Sequence, residues 1–471
     1  MPDPKTIAIA GASGFVGRYL IEHLSQDRQV IALSRSIRPS DRPNIAWRTC
    51  DMFSLLQIEE GLAGADVAVY LAHSMLPSAR LTQGRFEDMD LILADNFARA
   101  AATAGIQQIV YLGGIVSDDR VLSPHLRSRL EVERALGSYG VPVTTLRASI
   151  IVGAGGTSFG MLRRLIENAP ILPAPPWTSS RCQPIAIGDV VQLIDGCLGQ
   201  PWAFHQTYDV AGPDICSYRE LMVEAARALG RPVQLVTLPL SPPSRLVTWG
   251  VHLITGDPRE LVGPLLESLS HSMIAPERDL QDRLDIPGVP LHEMLRRAVD
   301  DPPPPEPPTG TRPKPFKNTV RSVQRMPLPV GRDAEWAAQE YMRWLPGAAF
   351  TLIQVDVHDQ ICRFRVIGMT QPLLELAYSP ERSTPDRTLF YVTRGLLSAP
   401  GNKRGRLEFR QALNKRTMIA AIHDFVPRLP WFIYKYSQAI AHAWVMFLFG
   451  QHLGEQPDAS SAEAPSSVGA S

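Results

Sequence analysis

Residues 7–18 read I-A-I-A-G-A-S-G-F-V-G-R, and this stretch decides the fold of the first part of the chain. An apolar run, Thr6–Ala10, leads directly into three glycines spaced three residues apart. Gly11 permits a tight turn, Gly14 lets the backbone approach a phosphate group, and Gly17 lets the following helix pack closely on the strand. Because the positive end of that helix faces the turn, the spacing predicts a strand, a turn and a helix that bind a dinucleotide pyrophosphate. The residues that we expect to contact the dinucleotide here are Gly11, Ser13, Gly14, Phe15, Val16 and Gly17.

Beyond this turn, short apolar runs alternate with helical patterns as far as about residue 150. The candidate strands are Thr6–Ala10, Gln29–Ser34, Val67–Leu71, Gln108–Leu112 and Val143–Leu146, and the candidate helices include Gly14–Ser25, Asp88–Ala104 and Ser128–Leu136. Strands that are apolar on both faces and alternate with helices are typical of a parallel sheet covered on two sides. The sequence therefore predicts a doubly wound α/β domain.

The length and charge of the chain restrict the classes of function. With 471 residues, two or three domains are expected at roughly 100–200 residues per domain. Lys and Arg together number 47, as do Asp and Glu, so the net charge is zero and no overall field favours nucleic acid. We expect no nucleic-acid partner.

Cysteine usage and the apolar segments indicate a cytoplasmic protein. The five cysteines are scattered and form no C-x-x-C pair, which argues against a disulfide framework and against a zinc site. The first apolar run begins too close to residue 1 to follow a signal peptide. The apolar stretch Trp431–Gly450 contains Lys435, Gln438 and His442, which predicts an amphipathic helix rather than a transmembrane segment.

A proline-rich segment divides the chain. Residues 301–317 read DPPPPEPPTGTRPKPFK, which favours extended polyproline geometry and predicts a semi-rigid linker between domain 1–300 and domain 318–454. Residues 1–310 carry 27 basic and 34 acidic residues, whereas residues 311–454 carry 20 and 10. The two oppositely charged domains either dock on each other or present ordinary solvated surfaces. Residues 455–471 are small and polar, which predicts a disordered tail.

The second domain shows a different pattern, in which strands predominate. A helix at Asp333–Trp344 precedes the candidate strands Phe350–Val357, Ile361–Val366, Leu373–Tyr378, Thr388–Leu397, Arg404–Gln411 and Thr417–Phe425, and a last helix covers Trp431–Leu453. Consecutive strands closed by a long helix predict a curved antiparallel sheet wrapped around that helix, an α+β fold.

The end of the second strand indicates which dinucleotide is bound. The strand ends in Ser34, Arg35 and Ser36, with Arg38 close behind and no acid before Asp41. An acidic residue there would bind the free ribose 2′-hydroxyl of NAD, whereas serine and arginine suit a 2′-phosphate. The sequence predicts NADP(H), with NAD(H) as the alternative if Arg35 is only an exposed charge.

Several segments resemble known proteins. G-A-S-G-F-V-G at 11–17, Y-L-A-H-S-M at 70–75, D-N-F-A-R-A-A at 95–101, I-V-Y-L-G-G at 109–114 and T-L-R-A-S-I-I-V-G at 145–153 resemble the atypical, extended short-chain dehydrogenases. The likeness is to their NmrA-like branch, which is related to the nucleotide-binding accessory subunit of respiratory complex I. It covers about residues 1–300 and implies a Rossmann domain.

A second resemblance concerns the domain after the linker. P-D-R-T-L-F-Y-V-T-R-G-L-L at 385–397, G-R-L-E-F-R at 405–410 and D-F-V-P-R-L-P-W at 424–431 are similar to a C-terminal domain of unknown function that is fused to such proteins in bacteria. That resemblance implies a helix-grip, START-like fold, and such folds usually enclose an apolar cavity. Seven aromatic residues near the last helix are expected either to line a cavity for a hydrophobic small molecule or to form an ordinary core. They are Trp431, Phe432, Tyr434, Tyr436, Trp444, Phe447 and Phe449.

The first resemblance also implies roles for individual residues. The further cofactor-binding residues are Asp51 and Met52 after the third strand, Leu71, Ala72 and His73 after the fourth, and Gly113 and Gly114 near the nicotinamide. Asn96 would orient the loop after the fourth strand, and Asp189 would cap a helix by accepting backbone N–H groups.

The catalytic pair of the short-chain dehydrogenases is missing. Active members use a Tyr and a Lys four residues later on one helix face, and none of the eleven tyrosines here has a lysine at that spacing. His125 and Arg129 stand four residues apart where the pair is expected, and Ser117 is a candidate for the superfamily's catalytic serine or an ordinary loop residue.

Two functions therefore remain open. In one, His125 donates a proton and Arg129 holds the nicotinamide ribose, so that the protein reduces a hydrophobic carbonyl or quinone-like compound. In the other, the pair only binds the cofactor, and the protein is a non-catalytic sensor or a module of a larger complex. Arg129 would lower the pKa of a neighbouring imidazole, which favours the second. The histidines are isolated, so no metal site is expected.

Overall fold

The computed structural model describes residues 4–459 except 41, 75–78, 117–122, 270, 311–318, 349–352, 403 and 414. The chain forms two compact units. The first consists of Met1–Leu76 and Asp90–Pro313, and the second of Pro77–Met89 and Lys314–Ser471. Within the described ranges, no helix is long and apolar enough to cross a membrane.

The strands are β1 (Thr6–Ala10), β2 (Gln29–Ser34), β3 (Ile45–Thr49), β4 (Val67–Tyr70), β5 (Leu81–Gln83), β6 (Gln108–Gly114), β7 (Val143–Ala148), β8 (Ile151–Val152), β9 (Ile171–Ala174), β10 (Arg181–Cys182), β11 (Ile185–Ala186), β12 (Thr207–Val210), β13 (Cys216–Ser217), β14 (Gln234–Thr237), β15 (Val320–Pro327), β16 (Ile353–His358), β17 (Ile361–Val366), β18 (Leu374–Tyr378), β19 (Arg387–Arg394), β20 (Arg406–Ala412) and β21 (Thr417–Phe425). The α-helices are α1 (Phe15–Leu24), α2 (Leu55–Leu62), α3 (Phe86–Thr103), α4 (Pro124–Leu136), α5 (Thr157–Asn168), α6 (Ile187–Cys197), α7 (Tyr218–Ala228), α8 (Ser244–Thr255), α9 (Arg259–Ser268), α10 (Asp279–Arg283), α11 (Leu291–Asp300), α12 (Ala334–Ala348), α13 (Trp431–Tyr436) and α14 (Gln438–Glu455).

The first unit is built on a seven-stranded sheet in the order β12-β7-β6-β4-β1-β2-β3. Every neighbouring pair is parallel, and Ile7 of the central strand pairs with Val30 on one side and Val67 on the other. The chain order reverses between β1 and β4, which opens a crevice at the carboxyl ends of these strands. The prediction of a doubly wound, Rossmann-like parallel sheet is confirmed.

Apolar residues on both faces explain why these strands form the centre of the sheet. Ile7 and Ile9 point to one face of the sheet and belong to one core cluster, Ala8 and Ala10 point to the other face, and all four have no solvent exposure. Leu20 of α1 joins the same cluster. Because the side chains of a strand alternate between the two faces, helices must cover both sides of the sheet.

The second unit contains an eight-stranded sheet in the order β16-β17-β18-β19-β20-β21-β15-β5. The first seven strands are antiparallel to their neighbours, as predicted, and β5 is parallel to β15. The sequence analysis assigned Leu81–Gln83 to the first domain, but Leu81 pairs with Val320. This edge strand brings Pro77–Met89 into the second unit.

A buried ionic network connects β19, β20 and β21. Glu408 accepts hydrogen bonds from Arg387 at 2.9 Å and lies 3.2 Å from a guanidinium nitrogen of Arg410, which is 1% exposed. His423 lies 3.3 Å from the other side of the same carboxylate. Burial alone would raise the pKa of Glu408, but the two arginines hold it well below its ordinary value. The ionised carboxylate therefore contributes a negative charge between two buried cations.

The last helical segment differs from the prediction of one amphipathic helix. It divides into α13 and α14, and Tyr434 and Phe449 are buried in the core of the second unit. Four of the seven aromatic residues that were predicted either to line a cavity or to form an ordinary core are instead exposed, because the helical period places them away from that core. They are Phe432, Tyr436, Trp444 and Phe447.

The first residues of the segment that was predicted to be disordered, beginning with Glu455, have defined structure. This residue is the last of α14, and the following residues pair with the loop after β15. The Val330 amide donates to the Asp458 carboxylate at 2.7 Å, and the Ala459 amide donates to the Val330 carbonyl at 2.9 Å. These bonds fix the chain to residue 459, and the rest of the predicted tail lies outside the described residues.

Candidate cofactor and substrate site

The glycine-rich turn has the geometry that its sequence predicts. Gly11 has φ +90°, a conformation that favours glycine, and the Gly14 amide donates to the Gly11 carbonyl at 2.9 Å. A Cβ on Gly17 would lie 2.4 Å from the Gly11 carbonyl oxygen, so α1 approaches the turn as closely as its backbone allows. Gly14 precedes α1 without a capping side chain. The amides of the first helical turn are thus directed toward the end of β1, where an anion could accept their hydrogen bonds.

A cavity of about 820 Å³ begins at this turn. Of the residues predicted to bind the cofactor or to act in catalysis, the cavity is lined by Gly11, Gly14, Phe15, Val16, Gly17, Leu71, His73, Gly113, Gly114, His125 and Arg129. The structure thus brings together residues from β1, β4, β6 and α4 at one edge of the parallel sheet. Their roles in binding and catalysis stay predictions.

The other predicted residues do not line the cavity in the part of the chain that the structure describes. They are Ser13, Ser34, Arg35, Asp51, Met52 and Ala72. Asp51 accepts a hydrogen bond from the Phe53 amide and shapes the loop after β3. Asn96 donates a hydrogen bond to the carbonyl of Met52, in the loop after β3, and its expected role toward the loop after β4 stays a prediction. Ser117 lies outside the described residues.

The role of Asp189 also differs from the one that the resemblance implies. It was expected to cap a helix, but Ala186 occupies the position that precedes α6, and Asp189 lies within the first turn. Its carboxylate accepts the Val289 amide at 2.9 Å. Asp189 therefore joins α6 to the segment before α11, a structural role.

Arg129 is held inside the first unit as a permanent cation. It is buried, and its guanidinium lies 3.8 Å from the carboxylate of Asp90. Burial alone would lower the pKa of Arg129, but Tyr111 and Asp90 raise it above its ordinary value. The Tyr111 hydroxyl donates to the Arg129 carbonyl at 3.3 Å. These contacts fix a positive charge beside the carboxyl ends of β4 and β6.

Asp90 is a site residue that the sequence analysis missed. Its second carboxylate oxygen accepts the Ser74 amide at 2.6 Å, so the same side chain positions Arg129 and the loop after β4. The available signal was an acid inside the otherwise apolar run M-D-L-I-L at 89–93, since buried carboxylates are usually paired.

Two histidines face the cavity as neutral rings. Burial and Arg129 together lower the pKa of His125 to about 3. Desolvation by the surrounding walls and Arg129 lower the pKa of His73 to about 4, although His73 is exposed on the cavity surface. Near pH 7 both imidazoles are therefore uncharged, as the proximity of Arg129 to His125 predicted. A neutral imidazole can donate one N–H to a substrate oxygen but is a poor proton donor.

The proline-rich segment contacts the first unit, beside the end of β2. Arg38 donates to the Ser34 hydroxyl at 3.1 Å and to the Pro308 carbonyl at 2.6 Å, and Arg18 donates to the Pro304 carbonyl at 3.3 Å. Residues 301–313 therefore belong to the first unit, whereas the sequence analysis placed them in a linker outside both domains. Arg35 is exposed at the same edge.

The far part of the cavity is apolar. Helices α5, α8 and α9, which were not predicted, pack together there. The side chains that line this part are Leu162, Leu165, Leu246, Val247, Val251, Ile254, Leu265, Leu266 and Leu269, with Gly250 among them. The arrangement joins an anion-binding turn, a fixed cation and an apolar chamber in one space.

Residues 11–156 match a family model described as NAD(P)H-binding. This part of the chain is thus similar to NAD(P)H-binding domains. The match covers the glycine-rich turn and ends at Gly156, directly before α5. The predicted likeness of the first unit to NAD(P)-binding Rossmann proteins of the short-chain dehydrogenase and NmrA-like kind is confirmed. The match does not distinguish NADP from NAD.

Three comparisons with known proteins agree with this domain. The auxiliary protein GraX of Staphylococcus aureus is 33% identical over 144 residues, which are 30% of this chain and 43% of GraX, so the match spans less than half of that relative. The ceramide reductase of Caulobacter vibrioides is 28% identical over 238 residues, which are 50% of this chain and 73% of that protein. The structure of a nucleoside-diphosphate-sugar epimerase from Staphylococcus aureus aligns with a TM-score of 0.50 at 17% identity, over 62% of this chain and 99% of that chain, and shows the shared fold.

Proposed function

We propose that the first unit binds NADP(H) and reduces a hydrophobic carbonyl or quinone-like compound. The observation that carries this proposal is the continuous cavity of about 820 Å³, which the glycine-rich turn lines at one end and apolar helices line at the other. Coenzyme and substrate must share one space for hydride transfer, and the bound coenzyme supplies the hydride. The relative named ceramide reductase supports a reductase that acts on an apolar molecule.

The preference for NADP(H) rests on the end of β2. The strand has no acid there that would bind a free ribose 2′-hydroxyl. Arg38 already donates to two carbonyls of the proline-rich segment, at Pro307 and Pro308. The exposed Arg35 is therefore the group that we expect to bind the 2′-phosphate.

Arg129 and His125 would act on the oxygen of the substrate. The guanidinium, fixed by Asp90, stabilises negative charge that develops on that oxygen, and the neutral imidazole donates a hydrogen bond to it. Neither group readily delivers a proton. A quinone leaves such a site as a phenolate-type anion, which needs less protonation than the alkoxide formed from a simple ketone, so quinone-like substrates suit the site better.

A second candidate function is a non-catalytic NAD(P)(H) sensor or a module that supports a larger complex. The observation that favours it is the low pKa of His125, together with the missing Tyr and Lys pair. Under this alternative, the cavity still binds the coenzyme, but NADPH is not consumed.

Oxidation of NADPH by the purified full chain distinguishes the two functions. The absorbance of NADPH is followed with 2-methyl-1,4-naphthoquinone and with decanal, and binding of NADPH is measured by calorimetry. We expect tight binding and faster turnover with the quinone, and we expect His125→Ala to lower kcat while the exposed control His292→Ala leaves it unchanged. Tight binding with no consumption supports the sensor instead, and absence of binding refutes both functions.

We also propose that the second unit is a START-like, helix-grip domain. Its seven antiparallel strands and the packing of α14 on β15 support this assignment. Such a domain could hold a hydrophobic small molecule between sheet and helix. The five cysteines are all buried free thiols, which suits the cytoplasm.

A further inference from the structure

The far part of the cavity is lined mainly by apolar side chains. We call this part, lined by Leu162, Leu165, Val247, Val251, Leu265 and Leu269, the apolar arm. None of these six side chains carries a hydrogen-bond donor, an acceptor or a charge. A polar group placed in the arm would lose its hydration without compensation, whereas a hydrocarbon would gain free energy from leaving water.

The apolar arm also opens to the surface through an apolar rim. Leu246 of α8 lines the cavity and is nevertheless 64% exposed, so the cavity reaches solvent at this side chain. Trp249 and Leu253 follow at helical spacing and are exposed as well. A flexible apolar chain can therefore enter past α8 without crossing the polar, coenzyme-binding end.

We propose that the apolar arm binds a long hydrocarbon tail, either a linear acyl chain or an isoprenoid chain. The placement of the substrate's polar head beside His73, His125 and Arg129 rests on the proposed function, but binding of the tail does not. Arg129 supplies a fixed charge at the coenzyme end of the cavity, whereas the six side chains that define the apolar arm carry neither a charge nor a hydrogen-bond donor. The ligand is accordingly an amphiphile, with one oxygen-bearing head and one apolar tail.

Gly250 provides a way to close the apolar arm. It lines the cavity in the middle of α8, and a Cβ built on it meets no atom within 4 Å. A larger side chain there would extend into the open space of the arm and not into neighbouring atoms. Because glycine is a poor helix former, the substitution should also favour α8. Gly188 on α6 is a matched control, since it is exposed and its Cβ would likewise meet nothing.

Binding of a series of n-alkanols, from hexanol to dodecanol, tests this proposal without coenzyme. Tryptophan fluorescence reports binding to the full chain. At about 0.8 kcal/mol per buried methylene, the affinity should rise roughly fourfold with each added methylene until the arm is filled. Gly250→Phe should reduce dodecanol affinity at least tenfold, and Gly188→Phe should leave it unchanged. Farnesol in the same assay distinguishes an isoprenoid tail from a linear one.

An affinity that does not depend on chain length in the wild-type protein would overturn the proposal, as would unchanged dodecanol binding in folded Gly250→Phe. If that variant does not fold, the smaller Gly250→Leu and the wild-type series still decide. Chain-length-dependent binding without NADPH oxidation would support the apolar arm and refute only the reductase function. NADPH oxidation together with alkanol binding that does not depend on chain length would support the reductase function and refute the apolar arm.

Discussion

Replacement of Gly17 by Ala tests the glycine-rich turn through a single methyl group. The added Cβ would lie 2.4 Å from the Gly11 carbonyl oxygen and 2.8 Å from backbone atoms of Ala12. Backbone atoms cannot rotate away as a side chain can, so α1 must move off the turn. Overpacking of this kind costs about 1–3 kcal/mol, and the higher helix propensity of Ala returns about 1 kcal/mol. The free energy of unfolding should therefore fall by about 0–2 kcal/mol, and we expect a value near 2 kcal/mol because the contacts are so short.

Coenzyme binding should be affected more specifically than stability. Movement of α1 displaces the amides that face the pyrophosphate, so NADPH affinity should fall at least tenfold, equivalent to about 1.4 kcal/mol. Urea denaturation measures the first effect and calorimetry the second. Gly188→Ala, which adds a methyl group to open space on α6, should be neutral or slightly stabilising and bind NADPH normally. Wild-type affinity for NADPH in Gly17→Ala would refute the assignment of the turn as the pyrophosphate site.

Three further predictions concern charge. Arg35→Ala should weaken NADPH binding about tenfold more than NADH binding, because the guanidinium binds the 2′-phosphate that only NADPH carries. Equal losses for the two coenzymes would contradict this prediction, as would the same effect in the exposed control Arg231→Ala. The pKa of His125 is about 3 in the folded chain and about 6.5 in model peptides, so stability should fall as the pH falls below 6.5. His125→Gln should remove up to about 1.4 kcal/mol per pH unit from the pH dependence of the free energy of unfolding. Urea denaturation of both proteins from pH 7.5 to 4.5 measures this, and an identical pH dependence in the two would contradict a lowered pKa of His125. Glu408→Gln should destabilise the second unit by about 3–5 kcal/mol, because it removes the negative charge between buried arginines. The exposed control Glu335→Gln should leave the urea midpoint unchanged. The same unchanged midpoint in Glu408→Gln would show that the network contributes little to stability.

Local patterns predicted the centre of the first unit well. The sequence indicated β1 and β2 with their observed bounds, because buried parallel strands are continuous apolar runs between turn residues. It did not predict that Leu81–Gln83 forms an edge strand of the other sheet. A strand of three residues has no periodicity to detect, and its partner Val320 lies far away in the sequence. Only the tertiary pairing determines where such a segment belongs.

The proline-rich segment shows a similar limit. Its composition predicts an extended chain and a separate linker, and the described residues 301–310 have no regular secondary structure. Composition does not reveal that the carbonyl groups of such a chain are free to accept hydrogen bonds. Arg18 and Arg38 donate to these carbonyls, and residues 301–313 therefore belong to the first unit. Proline removes a backbone donor and leaves the acceptor, so basic side chains elsewhere in the chain decide where the segment lies.

The two ends of the cavity differ in how far a sequence can reveal them. The coenzyme end depends on backbone positions that only glycine tolerates, and such positions leave a spacing that can be read directly. The apolar arm is lined by leucine and valine, the same residues that fill ordinary cores, and composition cannot tell a filled space from an open one. Gly250 is the exception, because a glycine in the middle of an amphipathic helix lowers helix stability and so needs a reason. Gly250 has open space beside it and lines the cavity, whereas Gly188, a helical glycine with equally open space, does not, so a helical glycine indicates where a cavity can be sought and only the structure decides.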